Sequence, residues 1–160
     1  MYVKEYFEGD FRCGHSGSCF DESTLDASQY DALLSRIRRM KPDGRLLEIG
    51  CAGGAFLGAA RAAGYEVRGV EFSDDAAEFA RRTLHLDVTT GDIFRANLTP
   101  STFDVVYMGD VLEHLPDPLS TMREIYRLMS PGGLLVVACP MQTNTLYSRV
   151  GFALYSVIGK

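Results

Sequence analysis

Arg45-Leu46-Leu47-Glu48-Ile49-Gly50-Cys51-Ala52-Gly53-Gly54-Ala55-Phe56-Leu57 is the stretch whose reading decides the fold. It begins as a short apolar run, of the kind that forms a strand buried on both faces, and then passes through glycines and other small residues from Gly50 to Gly54. A chain that leaves a strand through glycines and enters a helix turns sharply, and a ligand can approach its main-chain N–H groups without meeting a Cβ. The spacing E-x-G-x-A-x-G is related to the dinucleotide fingerprint G-x-G-x-x-G but departs from it. Alone, such a turn is equally compatible with a purely structural role.

Downstream, apolar runs and helical stretches alternate. Glu66 to Glu71 reads as a strand, followed by a helix that Ser73 and Asp74 would cap and that runs through Ala76, Phe79 and Ala80 to about Leu84. Leu86 to Thr89 and Phe103 to Met108 read as strands and Pro118 to Met129 as an amphipathic helix. A last strand, Leu134 to Cys139, follows a Pro131-Gly132-Gly133 turn. Upstream, Leu33, Leu34, Ile37 and Met40 recur at helical spacing within Asp26 to Met40, and Pro42, Asp43 and Gly44 end that helix. Residues 1–24 show no sustained period and read as an irregular arm with a short helix around Tyr2 to Phe7. The order βαβαβ then βαβ, with strands such as LLVVA that are nearly all apolar, predicts an α/β fold: a Rossmann-like, doubly wound, mostly parallel sheet flanked by helices.

Composition narrows the function classes. The chain has 160 residues, 46% hydrophobic and 23% charged, which suits one soluble domain with a single core. Its net charge of −5 supplies no general basic field for a polyanion, so nucleic acid is not an expected partner. The local cluster Arg36, Arg38, Arg39 and Lys41 reads as the solvated face of a helix. No basic region followed by an apolar run opens the sequence and no apolar run is long enough to span a bilayer, so neither export nor membrane insertion is expected. Of four cysteines, Cys51 and Cys139 fall in or beside strands as small apolar groups, and a reducing cytoplasm fits this usage. Cys13, His15 and Cys19 could supply three zinc ligands, but their spacing matches no paired zinc signature, and a surface loop is the default reading.

The chemistry-bearing residues fall at strand ends. Glu71 follows the second strand about twenty residues after the glycine turn, where an acid can accept hydrogen bonds from both hydroxyls of a ribose. In Gly91-Asp92-Ile93 a carboxylate can accept from an exocyclic amine and the isoleucine can cover a ring face; a turn-capping aspartate is the alternative. In FDVVYMGDVLEHL, from Phe103 to Leu115, a buried strand breaks at Gly109 and leads into acids and a histidine, which would line the crevice beyond the strand ends.

Together these segments resemble class I S-adenosylmethionine-dependent methyltransferases. LLEIGCAGGAFL is similar to that family's glycine motif, GVEFS to its ribose-binding acid, GDI to its adenine-binding turn, FDVVYMGDVLEHLPDP to its fourth strand and loop, and SPGGLLVVACP to its fifth strand. The resemblance covers roughly residues 45 to 140, in order. It implies that Glu48, Gly50, Cys51, Ala52 and Gly54 surround the methionine part of S-adenosylmethionine. Glu71 and Phe72 would hold ribose and adenine, and Asp92 and Ile93 complete the adenine pocket. Met108, Gly109 and Asp110 would lie beneath the sulfonium. Ala52 stands where a glycine is common in the family.

The resemblance implies methyl transfer to a small-molecule acceptor by in-line displacement, with S-adenosylhomocysteine as product. Such a reaction needs alignment and exclusion of water rather than a covalent catalyst. A hydroxyl nucleophile would use a general base, for which His114 is the candidate; a histidine that supports the loop is the alternative. Asp110, Glu113 and His114 also resemble the E-x-x-E-H metal sites of certain methyltransferases, with Asp in place of the first Glu.

The family's sheet usually ends with two further strands, and the sequence stops at Lys160 in an apolar stretch. The expectation is therefore one domain over 1–160, with an arm and helix over 1–44, a cofactor-binding core over 45–140 and the start of a substrate region over 141–160. It would lack the last two strands and be prone to self-association through an unpaired edge. An inactive cofactor-binding or interaction domain and an NAD-dependent oxidoreductase are the competing readings; the latter would want G-x-G-x-x-G.

Overall fold

A computed structural model describes residues 27–139; the arm over 1–24, the Cys13, His15 and Cys19 cluster and residues 141–160 lie outside the described residues. Apolar runs place five strands at the centre: β1 (Arg45–Ile49), β2 (Glu66–Glu71), β3 (Val88–Thr90), β4 (Phe103–Gly109) and β5 (Met129–Ala138). They form one sheet in the order β3-β2-β1-β4-β5. All four neighbouring pairs are parallel, as the nearly continuous apolar character of β1 and β4 requires.

Alternate strand residues feed two cores. On one face Leu46, Val105, Tyr107 and Leu134 pack with Leu34 and Ile37 of α1 (Asp31–Met40), Phe56, Leu57 and Ala60 of α2 (Ala55–Ala62), and Ala77 and Ala80 of α3 (Asp74–Leu84). On the other face Leu47, Val70, Val106 and Met108 pack with Ile125 and Leu128 of α4 (Pro118–Leu128). No helix fills the β3–β4 crossover; Ile93, Ala96 and Leu98 cover that part of the second face instead.

Capping fixes where the helices start. Ser73 Oγ accepts the Ala76 N–H, and Asp74 and Asp75 open α3 while Arg81 and Arg82 close it, so its charges oppose the helix dipole at both ends. Asp117 Oδ1 accepts the Ser120 N–H at the start of α4, with Pro118 in the first turn.

Three expected elements differ. The first helix is split, with a 3-10 turn at Ala27–Tyr30 before α1. The third strand lies at Val88–Thr90 rather than Leu86 to Thr89, because Leu86 is drawn into the core beside Gly54. Pro131-Gly132-Gly133 is not a turn before β5 but an irregularity within it. Met129 already pairs with Phe103, and the register shifts before Leu134 pairs with Val105. Gly132, at φ 73, absorbs the distortion, as glycine at a bulge does.

Candidate functional site

The parallel sheet sends the ends of β1, β2 and β4 to one side, where the glycine turn, Glu71 and the Gly109–Leu115 segment meet. Gly50, at φ 71, is closely approached from β4's side: a Cβ there would overlap Val111 Cγ2. Gly54, at φ 85, leaves room for Leu86 Cδ1, which would lie 2.5 Å from an added Cβ. Both glycines are therefore required by packing within the chain. Ala52 takes φ 45, a left-handed conformation that glycine adopts without strain.

Four of the turn's N–H groups are engaged within the chain. Gly50 N and Cys51 N donate to Val70 O at 2.8 and 3.3 Å, Gly54 N to Cys51 O at 2.8 Å, and Ala52 N to Glu71 Oε2 at 2.7 Å. Glu71 Oε1 accepts the Ser73 N–H at 2.8 Å, so this carboxylate joins the glycine turn to the start of α3. Burial raises the Glu71 carboxyl, opposed by the N–H donations of Ser73, Ala52 and Phe72.

Glu48 differs from Glu71. It is 5% exposed, and its Oε2 has no hydrogen-bond partner. Burial, reinforced by the Glu71 charge, raises its carboxyl well above the ordinary range, against the opposing backbone N–H of Leu57. Directly across the sheet, in register with Glu48, stands Tyr107. Its ring lies tilted on Phe56, with centroids 4.0 Å apart, and Tyr30 meets the same Phe56 edge-on at 5.3 Å. The Tyr107 hydroxyl leans towards the strand end, where a Cβ at Gly109 would overlap it. Burial, then the charges of Glu48 and Asp110, raise the Tyr30 phenol; the same burial and charges, with Tyr30, raise that of Tyr107.

The other candidate residues divide. Cys51, Ile93 and Met108 turn their side chains into the core, at 3%, 5% and 0% exposure, so Cys51 and Met108 can offer a ligand chiefly main chain. Burial also pushes the Cys51 thiol up. Asp92 caps its own turn, Oδ1 accepting the Arg95 N–H at 2.9 Å, as the alternative reading has it. Phe72 stands exposed beside Glu71, and Phe94, which sequence reasoning missed, is the exposed aromatic next to Ile93. Gly109 ends β4, and Asp110 follows at φ 54 with its N–H on Ala138 O.

His114 closes a 3-10 turn, Leu112–His114, its Nε2 3.9 Å from Glu113 Oε1, while Cys139 Sγ donates to Glu113 Oε2. Among the described residues no three His, Cys, Asp or Glu side chains converge to hold a metal. Tyr30 and Tyr107 are further side chains that sequence reasoning missed, since only the β1–β4 register sets Tyr107 beside Glu48 and only the contacts with Phe56 bring Tyr30 to Tyr107's neighbour.

A family model described as a methyltransferase domain matches residues 24–154. This chain belongs to that methyltransferase family. It is 33% identical over 116 residues to the ubiquinone biosynthesis O-methyltransferase of Haemophilus ducreyi, covering 66% of this chain and 49% of that one. It is 29% identical over 147 residues to the 2-methyl-6-phytyl-1,4-hydroquinone methyltransferase of Synechocystis, covering 85% and 46%. A solved SAM-dependent methyltransferase of Thermotoga maritima aligns with TM-score 0.57 and 29% identity, over 72% of this chain and 55% of that one. The methyltransferase domain thus spans about half the length of the curated relatives it matches. Family membership removes the oxidoreductase reading.

Proposed function

We propose that the chain binds S-adenosylmethionine across the ends of β2, β1 and β4 and transfers its methyl group to a small-molecule acceptor. The observation that carries this reading is the placement of Glu71. Its two oxygens each take one backbone N–H from the walls of the crevice, and a carboxylate has further lone pairs for a pair of ribose hydroxyls. The residues present fit the cofactor: Glu48, just before the glycine turn, keeps a buried oxygen unpartnered.

In this arrangement Glu71 and Phe72 hold ribose and adenine, and Asp92 and Ile93 complete the adenine pocket. Glu48, Gly50, Cys51, Ala52 and Gly54 surround the methionine part, and Met108, Gly109 and Asp110 underlie the sulfonium. The bound cofactor supplies an electrophilic methyl on sulfur. The chain's share is to hold that methyl in line with the acceptor and to keep water away. His114, beyond β4, is the base for a hydroxyl acceptor. Relatives named a ubiquinone biosynthesis O-methyltransferase and a hydroquinone methyltransferase make a phenolic ring the first acceptor class to test.

The family match over residues 24–154 is read as one domain working in the cytoplasm on a small-molecule acceptor, with self-association through a sheet edge as a secondary property. No helix among the described residues is long and apolar enough to cross a membrane.

Calorimetric titration with S-adenosylhomocysteine tests the assignment. Micromolar binding that weakens about tenfold in Glu71→Ala, about 1.4 kcal/mol, supports it. No binding by a folded wild-type chain refutes it.

A further inference from the structure

The sheet of the described residues ends on β3 and β5, and an edge strand presents a row of backbone groups to which another strand can add. On β3 the inward groups are identified by their bonds to β2: Asp87 O accepts the Gly69 N–H at 2.8 Å, and Gly91 N donates to Glu71 O at 2.8 Å. Successive residues of a strand turn their backbone groups to opposite sides, so Val88 and Thr90 point their N–H and C=O groups out of the sheet. A strand added here would donate to Val88 O and accept the Thr90 N–H.

Arg81 of α3 stands at that place. Its Nη1 donates to Val88 O and to Thr90 Oγ1, both at 3.0 Å. Glu78 holds the rest of the guanidinium, its Oε2 accepting from Nη2 at 3.0 Å and from Nε at 3.3 Å. A carboxylate one helical turn earlier thus fixes the fork from behind while its front lies on the strand edge. On β5, Ala138 O accepts the Asp110 N–H and so faces β4, which leaves Leu135 and Val137 as outward residues. No side chain among the described residues donates to their carbonyls.

We propose that Arg81 guards the β3 edge against strand addition by a second copy of this chain, so that self-association runs through β5 alone and stops at two copies. The choice of β5 rests on the self-association reading above; the closing of β3 stands on the Arg81 bonds. Two copies that pair their single open edge about a twofold axis have no edge left, whereas a second open edge lets the assembly grow.

Sedimentation velocity of the full chain over a range of concentrations tests this. Wild type should stop at two copies. Arg81→Met, which keeps an apolar stem but no donor, should exceed wild-type size increasingly with concentration while its far-UV circular dichroism stays that of wild type, and Arg81→Ala should act in the same sense. Adding Thr90→Pro, which removes the outward N–H and spares the bonds to β2, should return the assembly to wild-type size. A folded Arg81 variant that matches wild type throughout overturns the guard, and so does growth that Thr90→Pro does not reverse, which is what a merely destabilised chain produces. Wild type that grows past two copies overturns it as well. A monomeric wild type removes the β5 pairing, and an Arg81 variant that then dimerises still supports the guard.

Discussion

Glu48 and Glu71 lie on neighbouring strands, yet one has an oxygen without a partner and the other has both oxygens occupied. Burial raises Glu48, so it stays protonated in the fold at a pH where the unfolded chain has ionised it. The unfolded state then binds fewer protons, and stability falls as pH rises from the ordinary carboxylate range towards the raised folded value. Glu48→Gln mimics the protonated form and should flatten that decline; melting curves at several pH values read it, and an unaltered slope would count against a neutral Glu48. Ala52 supplies a second residue-scale prediction. Relief of its left-handed strain, about 1 kcal/mol, outweighs the added freedom of glycine in the unfolded chain, so Ala52→Gly should be neutral or stabilise by up to about 0.5 kcal/mol in denaturant titration. Gly54→Ala should destabilise clearly, since its Cβ would press on Leu86 and Ala80.

At this scale the glycines and Glu71 were legible because spacing along one strand and turn reveals them. Tyr107 read only as one more apolar strand residue. Its meeting with Glu48 depends on strand register, which no local pattern carries.

At the scale of elements, Asp104 pins the other end of the sheet. Its Oδ2 accepts the Arg45 N–H at 2.9 Å and its Oδ1 the Ser130 hydroxyl at 2.8 Å, so one side chain on β4 ties the starts of β1 and β5. Burial alone would raise it, but those two donors, with the charges of Lys41 and Arg45, hold it below the usual carboxylate range. Its contribution is present above the unfolded value and is lost as pH falls through the depressed one. Asp104→Ala should cost about 1–2 kcal/mol at neutral pH in chemical denaturation, and the gap from wild type should narrow in acid. Strands and helices were legible where apolar period and caps agreed, as at Ser73 and Asp117. Pro131-Gly132-Gly133 was misread because turn residues also build bulges, and only pairing with Phe103 tells the two apart.

For the whole molecule, a ligand that binds only the folded chain should raise its melting temperature by mass action. S-adenosylhomocysteine at about a hundred times its dissociation constant adds roughly 2.7 kcal/mol, a rise of several degrees by differential scanning fluorimetry; a tenfold weaker Glu71→Ala should keep only about half of it at the same concentration. The doubly wound order was legible because alternating elements leave few ways to cover both faces of a parallel sheet. The precise lining of the crevice was not, since Cys51 and Met108 sit in motif positions but turn inwards.

Glu71 joins the glycine turn to α3 through the chain's own Ala52 and Ser73 N–H groups. The walls are held by bonds internal to the chain, so little rearrangement is expected for the encounter itself. Association should therefore be fast and only weakly dependent on temperature, with differences among nucleosides expressed in how long each one stays.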